Sequence, residues 1–287
     1  MASFRTFLTL GRVSNLPTVW SNCLAGWLLG SGGFGPVERG RFAVLCLGAT
    51  GLYLGGMFLN DAFDAQFDRQ RRRERPIPTG AIPDKLVWQW GWAWLLAGII
   101  TLACQGKVAA VLVLALAAII VLYDAVHKLL AVSPLLMAAC RFLLYLVAAS
   151  VASGGVTGLA IWSGLALGAY VTGLNFIAQR ERTRTPPPHW PAACLGVPIL
   201  LSLLVNSGPF RSSAVFLSVV LALWSVRSLH HAWRAEQPHT GRAVAGLMAG
   251  MVCVDWLAVA DQGREFGFAF IALFLLALGL QRFVPAS

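Results

Sequence analysis

Val108-Ala109-Ala110-Val111-Leu112-Val113-Leu114-Ala115-Leu116-Ala117-Ala118-Ile119-Ile120-Val121-Leu122-Tyr123 runs without a charge between Lys107 and Asp124. The apolar residues are continuous rather than alternating, so the stretch reads as a helix in lipid and not as a barrel strand. Comparable runs lie near 13–31, 42–63, 87–104, 107–124, 134–152, 157–179, 191–206, 213–230, 242–260 and 265–283. Most approach the ~20 residues that cross a bilayer core; the short 191–206 run reads as half buried or broken. The expected fold is all-α, a polytopic membrane bundle of nine or ten transmembrane helices forming a single domain over 1–287.

Composition agrees. Of 287 residues, 57% are hydrophobic and only 12% charged, with a mean hydropathy of +0.70. A soluble domain is about a quarter charged, so these charges suffice for loops but not for a water-facing surface. The net charge of +10 invites a nucleic-acid reading. The basic residues sit between apolar spans instead of along one face, and no nucleic-acid or obligate protein partner is expected. Six single cysteines (Cys23, Cys46, Cys104, Cys140, Cys194, Cys253) show neither metal spacing nor a disulfide framework and read as packing residues. No small-residue cleavage site follows Arg5 and Arg12, so no signal peptide is expected.

Lysine and arginine positions orient the bundle. With the N-terminus inside, Arg5, Arg12, the run from Arg69 to Arg75, Lys85, Lys128, Arg180, Arg182, Arg184, Arg227, Arg234 and Arg242 share one face. Only Arg39, Arg41, Lys107, Arg211 and Arg264 fall on the other. The positive-inside rule makes the first face cytoplasmic, as in a bacterial inner membrane. The inner connections 64–86 and 180–190 also carry most ionisable residues, so a chemical site belongs at that end.

The most informative polar segment is Asn60-Asp61-Ala62-Phe63-Asp64-Ala65-Gln66-Phe67-Asp68. If the helix continues, Asn60, Asp61, Asp64 and Asp68 share an arc of about 100° along ~12 Å. Such a stripe at the mouth of a bundle demands a counter-charge. Mg²⁺ suits it, being hard and commonly held by one or two carboxylates plus substrate phosphates. A metal-bridged diphosphate is also a better leaving group. The plainer alternative is an interfacial helix end whose acids pair with the following arginines; alignment on one face favours the metal.

The stripe resembles the first aspartate-rich motif, N-D-x-x-D-x-x-x-D, of the UbiA superfamily of intramembrane prenyltransferases. The family's following R-P-x-P-[ST]-G element is matched by Arg75-Pro76-Ile77-Pro78-Thr79-Gly80. The resemblance implies a bundle around a central cavity in which a prenyl diphosphate is held through Mg²⁺ at the polar cap, ionises, and is captured by an aromatic or other lipophilic acceptor. It implies Asn60, Asp61, Asp64 and Asp68 as metal ligands, Asp64, Asp68 and Tyr123 as catalytic positions, and Arg72 and Arg75 on diphosphate oxygens. Positive-inside topology alone explains any one of Arg69, Arg71, Arg72 and Arg73, while Arg75 in its proline-flanked turn reads as functional.

The family's second aspartate motif is altered. Thr172, Asn175 and Gln179 repeat the spacing of Asp61, Asp64 and Asp68 with neutral donors, ahead of Arg180, Glu181 and Arg182. Amides bind Mg²⁺ more weakly than carboxylates, so a second full metal site is in question; Asn175, Gln179 and Arg180 remain substrate-binding candidates. This helix resembles that of a divergent bacterial branch of the family, EboC.

Tyr123-Asp124-Ala125-Val126-His127-Lys128 resembles the family's Tyr-x-x-x-Lys element, with His127 at the lysine position and Lys128 one residue later. Two readings fit: a diphosphate contact, or a belt tyrosine with a snorkelling lysine. Arg141 and Asp255 lie mid-span and need partners; a diphosphate or Asp124 suits Arg141, while Asp255 suits a cation or an acceptor hydroxyl. A structural ion pair is the alternative for both. Asn22, on the first span with Arg12 and Asn15, is a candidate near the acceptor. His230, His231 and His239 read as surface loop. Two other functions stay open: non-catalytic binding of a polyprenyl phosphate as a lipid carrier, and an intramembrane terpene cyclase.

Overall fold

Proline and glycine set most of the helix boundaries in the computed structural model, which describes residues 4–128, 130, 132–179, 190–233 and 240–284. The order is α1 (Phe4–Leu10), α2 (Leu16–Leu29), α3 (Pro36–Arg71), α4 (Asp84–Ala103), α5 (Lys107–Val126), α6 (Ser133–Val151), α7 (Gly158–Gln179), α8 (Trp190–Leu195), α9 (Val197–Val205), α10 (Arg211–Trp233), α11 (Thr240–Ala258) and α12 (Arg264–Leu280). Pro17, Pro36, Pro134 and Pro198 occupy first-turn positions of α2, α3, α6 and α9, where the missing N–H costs no helical bond. No strand occurs among the described residues.

Among the described residues, seven helices are long and apolar enough to cross a membrane, fewer than the nine or ten expected. A 3₁₀ turn at Val13–Asn15 takes the start of the first expected span and leaves α2 with 14 residues, ~21 Å of helix. Gly196 breaks the expected 191–206 span into α8 and α9, as its shortness suggested, and α12 has only 17 residues. The histidines 230 and 231, expected in a loop, lie in the last turn of α10; His239 lies outside the described residues.

α3 positions the site. Its 36 residues measure ~54 Å, far more than the ~30 Å hydrocarbon core, so the helix carries the 60–68 stripe on unbroken turns. α4 lies directly against it: a Cβ on Gly98 would fall 2.6 Å from the Leu52 nitrogen, and one on Gly55 2.6 Å from the Leu95 nitrogen. Glycine permits this backbone contact. α5 packs on another side of α3, while α2 is buried along nearly its whole length among α3, α6, α11 and α12. α7 belongs to the other half of the bundle, packed on α6, α8, α9 and α11.

Candidate functional site

The helical periodicity of α3 turns Asn60, Asp61, Asp64 and Asp68 inward, and all four are buried at 3–6% exposure. Carboxylates so enclosed must be partnered or neutralised. Their partners come from three separate segments.

The first is the chain entering α2. Arg12 has φ +40°, a left-handed conformation uncommon outside glycine, and Tyr53 Oη donates to its carbonyl at 3.1 Å. From this bend one guanidinium nitrogen donates to Asn60 Oδ1 at 3.2 Å and Asp61 Oδ1 at 3.1 Å. The second is the loop after α3. Thr79 Oγ1 donates back to the carbonyls of Arg75 and Pro76, and Gly80 takes φ +74° to leave the turn. Ile77 and Ile82 anchor that loop among Phe58, Ala62, Ala65 and Val87. So held, Arg75 donates to Asp61 Oδ1 at 3.2 Å. Burial, and then the charge of Arg12, push the Arg75 guanidinium down from its ordinary value. Two guanidiniums thus share one carboxylate oxygen, an arrangement that a further anion would stabilise.

The third is the end of α5. Lys128 Nζ lies 2.6 Å and His127 Nε2 3.4 Å from Asp64 Oδ1. The lysine contact is an ion pair by distance, with the ammonium poorly aligned for a hydrogen bond; the same nitrogen stands 3.9 Å over the Phe67 ring. The His127 Nδ1 faces the carbonyls of Tyr123 and Asp124 at 3.2 Å, and its ring stacks on Tyr123. Both candidates for the lysine position of the shifted Tyr-x-x-x-Lys element, His127 and Lys128, therefore reach one carboxylate. A turn earlier, Asn60 Nδ2 donates to Asp124 Oδ1 at 3.0 Å. The pairs 60–124 and 64–128 have the same offset, which sets α3 and α5 side by side in parallel register.

Two buried carboxylate oxygens in this cluster, Asp68 Oδ1 and Asp124 Oδ2, have no hydrogen-bond partner. A hard divalent cation satisfies such oxygens. Among the described residues no three acid, histidine or cysteine side chains form a ready-made cage; an ion at this place would draw its remaining ligands from elsewhere. Asn60 enters with its amide engaged at both ends. The Arg72 backbone N–H closes α3 on the Asp68 carbonyl at 2.8 Å.

The altered second motif behaves differently. Thr172 Oγ1 donates to the Gly168 carbonyl and Asn175 Nδ2 to that of Val171, each within α7; Gln179 Nε2 donates to Ser133 Oγ. Arg180 lies outside the described residues.

Asn22, Arg141 and Asp255 do come together, deeper in the bundle. The fully buried Asp255 accepts from Ser21 at 2.5 Å, Asn22 at 2.7 Å and Tyr145 at 2.5 Å. Asn22 Oδ1 accepts from Arg141 at 2.7 Å, and Arg141 also donates to the carbonyl and hydroxyl of Thr18. Asp124, one of the two partners considered for Arg141, does not pair with it: the Asn22 amide bridges Arg141 and Asp255. Arg12 and Asp124 join the polar cluster, although the sequence pattern does not place them with the α3 stripe. Arg12 had a trace, a lone charge beside Gly11 at the mouth of a span.

These features define a polytopic membrane protein with acids and cations interleaved in a buried polar cap. The sequence profile described as the UbiA prenyltransferase family matches residues 19–235, and the chain belongs to that family. Solved structures share the fold. A UbiA homologue from Aeropyrum pernix K1 superposes with a TM-score of 0.69 at 17% identity, covering 86% of this chain and 97% of that one. A homologue from Archaeoglobus fulgidus bound to DMAPP and Mg²⁺ gives 0.64 at 16%, covering 87% and 98%. A digeranylgeranylglyceryl phosphate synthase structure gives 0.60 at 15%, covering 97% and 100%. No curated protein sequence gives a significant match.

Proposed function

We propose that the protein transfers a prenyl group from a prenyl diphosphate to an aromatic or other lipophilic acceptor within the membrane. One observation carries this reading: the buried acids of α3 are matched by guanidinium and ammonium groups from three segments, so one cap offers donors for a metal and for phosphate. The Archaeoglobus homologue was solved with DMAPP and Mg²⁺ and with GPP and Mg²⁺, which supports the same ligand class here.

In this scheme Asp61, Asp64 and Asp68, with Asn60 beside them, hold Mg²⁺. When bound, the ion stabilises negative charge developing on the diphosphate oxygens. Arg12, Arg75 and Lys128 turn from carboxylate to phosphate oxygens, exchanging one charge-assisted contact for another. His127 and Tyr123, stacked at the end of α5, border the same oxygens. Arg72, beside Arg75, adds to the positive field. The Asn22–Arg141–Asp255 network fixes α2, α6 and α11 around the acceptor side. The lysine and arginine bias supports a cytoplasmic cap and N-terminus in a bacterial inner membrane, and the span layout supports one domain over the whole chain.

The test is release of diphosphate from labelled DMAPP or GPP by purified protein with Mg²⁺, and its loss in EDTA. A prenylated acceptor among the products supports transfer; a cyclised hydrocarbon replaces transfer with cyclase chemistry. Tight donor binding without release leaves the carrier reading, which the neutral α7 side chains favour.

A further inference from the structure

We infer that Asp124 is a further ligand of the divalent cation, standing on α5 in place of the acid that α7 lacks. The inference rests on the metal reading above and adds a residue to it.

Asp124 has a solvent exposure of 3% and ends a membrane-spanning helix, where an ionisable group is costly unless something holds it. Its one side-chain hydrogen bond among the described residues does not explain an ionisable group here. Oδ1 accepts a single hydrogen bond from Asn60, a task an asparagine oxygen performs equally well. Oδ2 has no partner. Among the described residues no lysine, arginine or histidine nitrogen lies within ion-pair distance of either oxygen.

The carboxylate belongs to the metal cluster by position. Asn60, which it accepts from, is bonded on its other side to the arginine that holds Asp61. One turn further along the chain, at the C-cap of α5 and just past it, His127 and Lys128 hold Asp64. Asp124 thus enters the stripe from the α5 side, one turn above the Asp64 contacts, with a spare oxygen. α7 has no carboxylate to offer, and the amide nitrogens of Asn175 and Gln179 are already engaged. Among the described residues, the acid that reaches the α3 stripe from another helix is Asp124 on α5. The charge at this place serves an ion that needs more than the α3 acids and tolerates phosphate oxygens for the remainder.

The experiment uses the full chain in detergent or nanodiscs, with Mn²⁺ as the ion and inorganic pyrophosphate as the co-ligand. Bound ion is read as loss of the free Mn²⁺ electron paramagnetic signal. Asp124→Asn keeps the acceptor for Asn60 and removes the charge. It should weaken Mn²⁺ binding at least ~tenfold, with the metal-free melting temperature unchanged or raised, since a buried charge is gone. A purely structural role moves melting and leaves the ion bound. Asp64→Ala is the comparator. Loss of Mn²⁺ in Asp64→Ala with binding within twofold of the parent in Asp124→Asn overturns this inference alone. Absence of binding in the parent overturns it together with the metal reading. Should Asp124→Asn not fold, anomalous scattering from Mn²⁺ in crystals of the parent decides: a peak in coordination contact with Asp124 Oδ2 supports the assignment, and a peak confined to the α3 acids refutes it.

Discussion

α3 and α7 carry the same spacing of oxygen-bearing side chains, and the two helices use it in opposite ways. On α3, Asp61 and Asp64 reach outward to Arg12, Arg75, His127 and Lys128. On α7, Thr172 and Asn175 bond the backbone one turn earlier. A carboxylate has only acceptors and must find a donor elsewhere; an amide or hydroxyl can donate to a carbonyl of its own helix. At Thr172 and Asn175 a neutral group in place of an acid turns a side chain that joins helices into one that completes its own, whereas Gln179 still reaches α6 through Ser133. Motif spacing therefore locates a face, and charge decides whether that face faces a partner.

That contrast can be broken or sharpened by substitution. Asp64→Ala should remove donor turnover by at least ~100-fold, since loss of a ligand costs no less than loss of its supporting shell. Diphosphate-release assays on protein shown by size exclusion to be inserted and folded measure it; near-parent rates would refute the metal role. Arg75→Ala should lower kcat/KM roughly tenfold, the worth of one charge-assisted hydrogen bond to phosphate, chiefly through a higher KM. The double change Asn175→Asp with Gln179→Asp asks whether α7 still faces the ligand. A severalfold fall in the Mg²⁺ concentration for half-maximal activity is expected if it does, and a titration without such a shift says it does not. Thr172→Val, which removes a bond internal to α7, should leave rates within about twofold and cost at most ~1 kcal/mol of stability, read by thermal melting.

The spans and the stripe were legible because both are local periodicities. Continuous hydropathy marks helices in lipid, and a hundred degrees per residue puts Asp61, Asp64 and Asp68 on one side of α3. Contacts across the sequence were not legible in the same way. Arg12 reaches the stripe from 48 residues away only because its own backbone turns left-handed, and no periodicity announces such a bend. Asp124 looked like a counter-charge for Arg141, since both are buried acids and bases in adjacent helices. Arg141 instead meets Asp255 through an amide on α2, a three-helix arrangement that pairwise charge matching cannot anticipate. The span count exceeded the long helices for a related reason: hydropathy does not register the 3₁₀ turn that shortens α2.

The pairing of Asp61 with two guanidiniums couples the arrivals at the cap. On the proposed reading, a bare divalent ion would meet Asp61 and Asp64 already holding counter-ions, and displacing Arg12, Arg75 or Lys128 would strand those cations in a dry setting. Pyrophosphate supplies the replacement anions. Ion and diphosphate should thus load as a unit, each raising the other's affinity, and such mutual dependence would spare the resting protein from stray metals.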